Sequence, residues 1–152
     1  MNYVHNIAVT CVIEYKNKFL AVKRAKGSDN FPNLWAFPGG RVEINETIIE
    51  TIKREVYEET SLELNDDCVF LDTYFFDKTV GMAFLVRSKT DIVTLSNELI
   101  DYQWISKISE LDNFKCIPGI YNHFVRATQM IDKNYFDSLE EMNLIQEKYI
   151  NK

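Results

Sequence analysis

The sequence predicts a mixed α/β fold, and three features of its pattern support this class. Short β-rich apolar runs lie on both sides of one amphipathic helix, and helical periodicity returns after Pro118. The chain has 152 residues, 46% of them hydrophobic, which is enough to build a core. Neither an internal repeat nor a linker is visible. We therefore expect a single domain over residues 1–152, with C-terminal helices over residues 118–151.

The first part of the chain predicts a β-hairpin followed by a short strand. Ile7–Glu14 and Phe19–Val22 are apolar and rich in β-formers, and the polar residues 15–18 between them are typical of a turn. Residues 23–33 are polar, contain Gly and Pro, and predict a loop. Leu34–Phe37 predicts a short strand that ends at the Pro-Gly-Gly that follows it.

The central helix is predicted over Thr47–Thr60. Thr47 and Glu50 have the spacing of a capping box, in which the threonine begins the helix. Four apolar side chains follow at the spacing of one helix face: Ile48, Ile49, Ile52 and Val56.

The rest of the chain predicts three more strands and then helices. The strands are expected at Val69–Phe76, Gly81–Val86 and Tyr102–Ile105. Two groups of apolar residues then have helical spacing: Ile120, Phe124, Ala127 and Ile131, and in the tail Phe136, Leu139, Met142, Ile145 and Tyr149. Because amphipathic helices usually cover their own domain, we expect core packing, with a homodimer contact as the alternative.

Charge and cysteine content exclude several classes of partner. The net charge of −6 repels the backbone of a nucleic acid duplex and the surface of an anionic membrane. The three cysteines, Cys11, Cys68 and Cys116, have neither metal-ligand nor disulfide-framework spacing, and they favour free thiols in a reducing compartment. The N-terminus has no signal-peptide pattern and no run is long enough to span a membrane, so we expect a cytoplasmic protein.

The central helix carries an unusual concentration of negative charge. Glu55, Glu58 and Glu59 are spaced i, i+3 and i+4, so they are neighbours beside the apolar face. Each such like-charge pair costs roughly 0.2–0.5 kcal/mol when exposed, and more when buried. Clustered carboxylates are ligands of Mg²⁺ and Mn²⁺, whereas Arg54 offers the alternative of a solvated, self-neutralised acidic face.

The surrounding spacing resembles the signature of the Nudix hydrolases. That signature is Gly, five residues, Glu, seven residues, Arg-Glu, an aliphatic residue, any residue, Glu-Glu, any residue, Gly and an aliphatic residue. The corresponding residues here are Gly40, Glu46 and the run Arg54-Glu55-Val56-Tyr57-Glu58-Glu59-Thr60-Ser61-Leu62. Only Ser61 departs, since the family has glycine there. After a helix, serine is expected to cost on the order of 1 kcal/mol or to change the turn.

The resemblance implies an α/β/α sandwich with a mixed sheet, and hydrolysis of a diphosphate linkage in a nucleotide by Mg²⁺, for which Mn²⁺ can substitute. It implies that the metal ligands are Glu55, Glu58, Glu59 and the carbonyl group of Gly39. Glu46 and Arg54 would form a supporting ion pair, and Gly40 belongs with the substrate-binding residues.

Further site residues follow from the same resemblance. The general base is either Glu55 or Glu98, which precedes a predicted strand where many related enzymes carry an acidic residue. Arg24 stands where family members place a basic residue near the substrate phosphates, while Lys23 alternates to the other side of the strand. His123 lies in a segment that approaches the base in related folds. Trp35 and Phe37 favour a core position over base stacking.

The substrate class is inferred from missing markers. The position of the proline typical of ADP-ribose hydrolases is Phe76, and the NADH-type run is absent. A short chain without markers resembles the housecleaning enzymes that convert a (deoxy)nucleoside triphosphate to a monophosphate and pyrophosphate. The alternatives are an ADP-ribose or nucleotide-sugar pyrophosphatase, and a nucleotide-binding sensor without activity. Such sensors usually lack a signature glutamate, and this chain has all four.

Overall fold

The computed structural model of the protein describes residues 5–134 and Lys148. None of the helices in this part of the chain has the length and apolar character needed to cross a membrane. The elements are, in order, β1 (Asn6–Tyr15), β2 (Lys18–Arg24), β3 (Trp35–Ala36), β4 (Gly39–Arg41), α1 (Ile48–Thr60), β5 (Leu64–Phe76), β6 (Thr79–Ser88), β7 (Leu99–Ile105), a 3₁₀ helix (Ile108–Asn113) and α2 (Ile120–Asp132).

The strands form one mixed seven-stranded sheet with the order β3-β2-β1-β6-β5 along its main path. β4 also pairs with β1, and β7 also pairs with β2. β1 and β6 are parallel, from Asn6 beside Thr79 to Glu14 beside Arg87, and the other pairs are antiparallel. After α1 and the β5–β6 hairpin, the chain returns and β6 pairs with β1. β1 is therefore the central strand, with β2 on one side and β6 on the other.

The sheet buries an apolar cluster on each face. Val9, Cys11 and Ile13 of β1 pack with Ile52 and Val56 of α1 on one face. Neighbouring side chains of a strand point to opposite sides, so Val12 lies on the other face, with Leu111 of the 3₁₀ helix and Phe124 of α2. This arrangement is an α/β/α sandwich, and the predicted fold class is confirmed.

The sequence misplaced several element boundaries. The predicted strand before the Pro-Gly-Gly is only Trp35–Ala36, and the glycines themselves form β4, which was predicted to be a strand end. β4 exists because it pairs with β1, and Gly39 approaches Val9 so closely that a Cβ atom would overlap the Val9 carbonyl group. The strands β5, β6 and β7 are also longer than predicted. Periodicity did not predict the 3₁₀ helix.

The central helix has the predicted start, and its buried face contains Ile52 and Val56 as predicted but differs at one margin. The hydroxyl group of Thr47 accepts a hydrogen bond from the backbone of Glu50 at 3.1 Å, as the capping pattern requires. Ile49, assigned to the apolar face, is 43% exposed. Thr51 is fully buried instead, because its hydroxyl group donates to Glu46 and to the carbonyl group of Thr47.

The helix ends in the turn that the family glycine would make. Ser61 has φ 61° and ψ 14°, a left-handed conformation, and its N–H group donates to the carbonyl group of Tyr57. The serine therefore keeps the turn. The helical tail predicted from Phe136 to Tyr149 lies outside the described residues.

Candidate active site

One edge of the short strand β4 faces the acidic helix. The N–H group of Cys11 donates to the Pro38 carbonyl group, and the N–H group of Val42 donates to the Ile7 carbonyl group. In an antiparallel pair, hydrogen-bonded and non-hydrogen-bonded residues alternate, so Gly39 is not hydrogen-bonded to β1. The backbone groups of Gly39 and Arg41 consequently point away from β1. Arg54 of α1 donates to the Arg41 carbonyl group at 3.0 Å, and Glu59 receives a hydrogen bond from the backbone of Gly39.

Arg54 joins this edge to the acidic residues. Its Nε and Nη2 atoms donate to both carboxylate oxygens of Glu46, at 2.6 and 2.9 Å. These bonds hold the pKa of Glu46 down at about 2 and raise the pKa of Arg54. Nη1 donates to Glu55 at 2.7 Å and to Glu58 at 3.2 Å. The Glu46–Arg54 pair thus fixes the loop before α1 onto the helix.

Two of the three predicted carboxylate ligands are directed inward. Glu59 is only 6% exposed, and burial together with the charges of Glu55 and Glu98 raises its pKa to about 8, against a lowering effect from Gly39 and Arg24. Burial also raises the pKa of Glu55, which Arg54 opposes. A low-dielectric region with two carboxyl groups is short of positive charge.

Gly40 leaves the space that Glu55 occupies. A Cβ atom built on Gly40 would overlap the carboxylate group of Glu55. Glycine at this position therefore lets the acidic side chain lie directly against the backbone of β4, which is a physical reason for the first glycine of the signature.

Glu58 has a different environment from its two neighbours. Its side chain is 58% exposed, and its ion-pair partner in the structure is Arg54. Within residues 5–134 and Lys148, no set of three or more His, Cys, Asp or Glu side chains is grouped closely enough to hold a metal ion. Arg54 pairs with both Glu55 and Glu58, whereas Glu59 is buried. Even so, the donors are hard oxygen atoms in a region short of positive charge, and this chemistry fits a divalent cation such as Mg²⁺.

Arg24 and Glu98 lie in the same electrostatic environment. Arg24 lowers and Glu98 raises the pKa of Glu59, and Glu98 also raises the pKa of Glu55. The backbone positions Glu98: its carbonyl group accepts from Ala25 at 2.9 Å, just after β2. The structure therefore brings Arg24, Glu98 and the acids of α1 together, although they are distant in sequence.

Trp35, Phe37 and His123 are all buried. Trp35 and Phe37 are buried in the cluster under α2, as expected for core residues. His123 is 7% exposed, burial lowers its pKa, and its ring packs against Tyr74 at 5.6 Å between centroids.

Sequence reasoning missed three contributors to the site. Thr51 donates to Glu46 at 2.6 Å, the Arg41 carbonyl group accepts from Arg54, and Ser96 donates its N–H group to the carbonyl group of Glu59 at 3.0 Å. Arg41 and Ser96 contribute through backbone groups, which every residue type has, so the sequence gives no indication of these contacts. Thr51, one helical turn after Thr47, was the only one with a readable pattern.

Comparisons with known proteins identify the family of this chain. The family model described as NUDIX domain matches residues 4–116. The 8-oxo-dGTP diphosphatase of Buchnera aphidicola subsp. Schizaphis graminum is 29% identical over 124 residues, which cover 82% of this chain and 92% of that protein. The nucleoside triphosphatase NudI of Klebsiella pneumoniae is 33% identical, with 72% and 87% covered.

A shorter match and a solved structure complete the comparison. The m7GpppN-mRNA hydrolase NUDT17 of Danio rerio is 38% identical over 63 residues, but the chain spans only 21% of its length. The crystal structure of the MutT protein from Methanosarcina mazei Go1 superposes with a TM-score of 0.66 at 26% identity, and 82% of this chain and 94% of that chain are covered. Since the family match spans most of the chain and includes the acidic helix, the protein belongs to the Nudix hydrolase family.

Proposed function

We propose that this Nudix hydrolase converts a (deoxy)nucleoside triphosphate to the monophosphate and pyrophosphate, with Mg²⁺ as cofactor. The observation that carries the proposal is that Glu59 and Glu55, which lie against β4, are within electrostatic reach of Glu98, while Arg24 acts on Glu59. A polyanionic substrate needs positive charge at this place, and the relatives named for triphosphate substrates match over most of their length.

The metal-binding residues in this proposal are Glu55, Glu58, Glu59 and the carbonyl group of Gly39. Bound Mg²⁺ would neutralise phosphate charge and lower the pKa of a coordinated water molecule. The open edge of β4 supports the assignment of Gly39, because the backbone of that residue already contacts Glu59. Exposed Glu58 can reorient at low cost, since its contact is an i, i+4 pair with Arg54 at the surface.

The chain's own residues have distinct roles. Arg54 and Glu46 hold the loop before α1 in place, and Gly40 admits the carboxylate group of Glu55. Arg24 binds phosphate oxygens. Glu98, or Glu55, accepts the proton of the attacking water. Burial raises the pKa of Glu55, and a higher pKa makes a carboxylate group a stronger proton acceptor.

Hydrolysis of a nucleotide panel with MgCl₂ tests the proposal. The panel contains the common (deoxy)nucleoside triphosphates, 8-oxo-dGTP, ADP-ribose and a nucleotide sugar. We expect Glu55→Gln and Glu58→Gln to lower kcat/KM by about two orders of magnitude or more, since each removes a charge next to the reaction. Exposed Glu63 lies just beyond the helix, so Glu63→Gln is a matched control that should keep full activity.

The products separate the candidate functions. A triphosphate substrate yields pyrophosphate, whereas ADP-ribose yields AMP. If ADP-ribose or a nucleotide sugar is the better substrate, the triphosphate assignment is wrong. If the wild-type protein binds nucleotides with Mg²⁺ and turns over none, the protein is a sensor and the whole proposal fails.

The homodimer contact, which the sequence left as the alternative to core packing, is not tested by the structure. Sedimentation velocity over a range of protein concentrations would check it, and a single monomeric species throughout would contradict it.

A further inference from the structure

Ser61 is a residue that the proposed reaction does not use. It stands where the family signature has glycine, and its φ of 61° is in the left-handed region. A side chain there is unfavourable relative to glycine because Cβ approaches the following carbonyl oxygen. The serine is therefore retained against its backbone preference, and its side-chain contact offers a reason.

The hydroxyl group of Ser61 is bonded to the loop between β6 and β7. It donates to the carbonyl group of Thr94 at 3.2 Å. The N–H group of Thr94 donates to the carbonyl group of Thr60 at 3.0 Å, and that of Ser96 donates to Glu59 at 3.0 Å. The three bonds fasten residues 94–96 along the last turn of α1. The bonds from Thr94 and Ser96 also satisfy two carbonyl groups for which a helix end has no partner of its own.

The fastened segment leads directly to Glu98. The N–H group of Glu98 donates to the hydroxyl oxygen of Ser96 at 3.4 Å, and Leu99 donates to the Ser96 carbonyl group at 3.2 Å. On the other side, Glu98 accepts from Ala25 at 2.9 Å. Glu98 is thus held between the end of α1 and the end of β2, within electrostatic reach of Glu55 and Glu59.

We propose that Ser61 is a positioning residue, whose hydroxyl group keeps Glu98 at the acids of α1 by fastening Thr94 and Ser96. The proposal rests on the role of Glu98 in the proposed function. It explains why a serine occupies a left-handed position, since glycine would make the same turn without the bond to Thr94. With Glu98 as the base, loss of the Ser61 hydroxyl group is expected to lower kcat and to leave KM unchanged, because substrate binding depends on Arg24.

Hydrogen exchange tests the fastening without any substrate. Ser61→Ala removes the hydroxyl group and keeps a side chain in the left-handed turn, whereas Ser61→Gly removes both. In each variant we expect the amides of Thr94 and Ser96 to exchange about three- to tenfold faster, the size of one lost hydrogen bond. The buried amide of Val12 should exchange as in the wild type. Unchanged exchange at Thr94 and Ser96 in both variants would overturn the proposal.

Steady-state kinetics test the path through Glu98, with the triphosphate that the wild type turns over fastest. Ser61→Ala should lower kcat by about three- to tenfold with KM within about twofold, and it should have no further effect in a Glu98→Gln background. Ser106→Ala is the control, since that hydroxyl group bonds to Glu110 away from the site. An equal loss of kcat in both backgrounds shows that Ser61 acts independently of Glu98 and overturns the proposal.

The kinetic results also separate this proposal from the proposed function. If Glu98→Gln is impaired and Ser61→Ala is fully active, the positioning role alone is wrong. If Glu98→Gln is fully active, Glu55 is the base instead of Glu98, and the positioning role of Ser61 is wrong as well.

Discussion

Glu59 shows most clearly how the surroundings of a single residue determine its pKa. Its carboxyl group is nearly buried beside two other acids, and its pKa is raised to about 8. The unfolded chain releases this proton near pH 4.5, the ordinary pKa of a glutamate side chain. In the absence of a cation, the folded protein therefore retains the proton to a higher pH. Between those two pH values the unfolded state binds fewer protons, so the free energy of unfolding falls as pH rises.

We predict that Glu59→Gln removes this pH dependence. In EDTA, the wild type should lose stability between about pH 5 and pH 8, and the variant should be more stable than the wild type at pH 8 by about 2–4 kcal/mol. Urea denaturation at several pH values measures the difference, with Glu63→Gln as the exposed control. Parallel curves for the wild type and Glu59→Gln would show that Glu59 titrates normally.

Gly40 gives a second prediction at this scale. A methyl group at Gly40 would overlap the carboxylate group of Glu55, so Gly40→Ala must displace that side chain. We expect kcat/KM to fall by about 100-fold, since small displacements of reacting groups have effects of this order. No atom lies within 4 Å of the corresponding position at Gly27, so Gly27→Ala is a matched control. Comparable activity of the two variants would contradict the close packing of Gly40 and Glu55.

Arg54 connects the helix α1 to the strand and the loop beside it. One guanidinium group links β4, the preceding loop and two acids of the helix, and it is only 21% exposed. Lysine has the same charge but lacks the planar group that bonds both oxygens of Glu46. The position therefore depends on geometry more than on charge.

Accordingly, Arg54→Lys should destabilise the protein by about 2 kcal/mol and lower activity as well. Urea denaturation at pH 7 gives the stability. Arg126→Lys is the control, because Arg126 is 46% exposed and its closest contact to Asp72 is 3.6 Å, so the loss there should be below about 1 kcal/mol. Equal losses for the two variants would mean that the paired bonds to Glu46 contribute no extra stability.

At the scale of the whole molecule, cation binding and folding should be coupled. The acids of α1, the edge of β4 and the loop before β7 meet only in the folded chain, so a cation bound there stabilises the native state. We predict that replacing EDTA by MgCl₂ at pH 8 raises Tm by about 2–4 °C for each kcal/mol of binding energy. Thr47→Ala, which loses the helix cap, should start from a lower Tm and show the same rise. Glu59→Gln should show almost none, and a full rise in that variant would place the cation elsewhere.

Several features could be predicted because they depend on neighbours in sequence. The spacing of Glu55, Glu58 and Glu59 identified the acidic helix, and Thr47 marked its start. Apolar runs rich in β-formers located most of the strands. Periodicity was less reliable at the margins of the helix face, where Ile49 is exposed and Thr51 is buried.

By itself the sequence determined the central helix, the approximate positions of most strands, the family resemblance and the acids of the signature, since each follows from residue type at short spacing. Only the tertiary structure decided that Glu59 is buried while Glu58 is exposed, that β4 is a strand, and that Glu98 reaches the helix through backbone bonds of Ser96. These features arise when distant segments pack together. Burial and backbone pairing depend on what lies nearby in space, and neither leaves a local pattern in the chain.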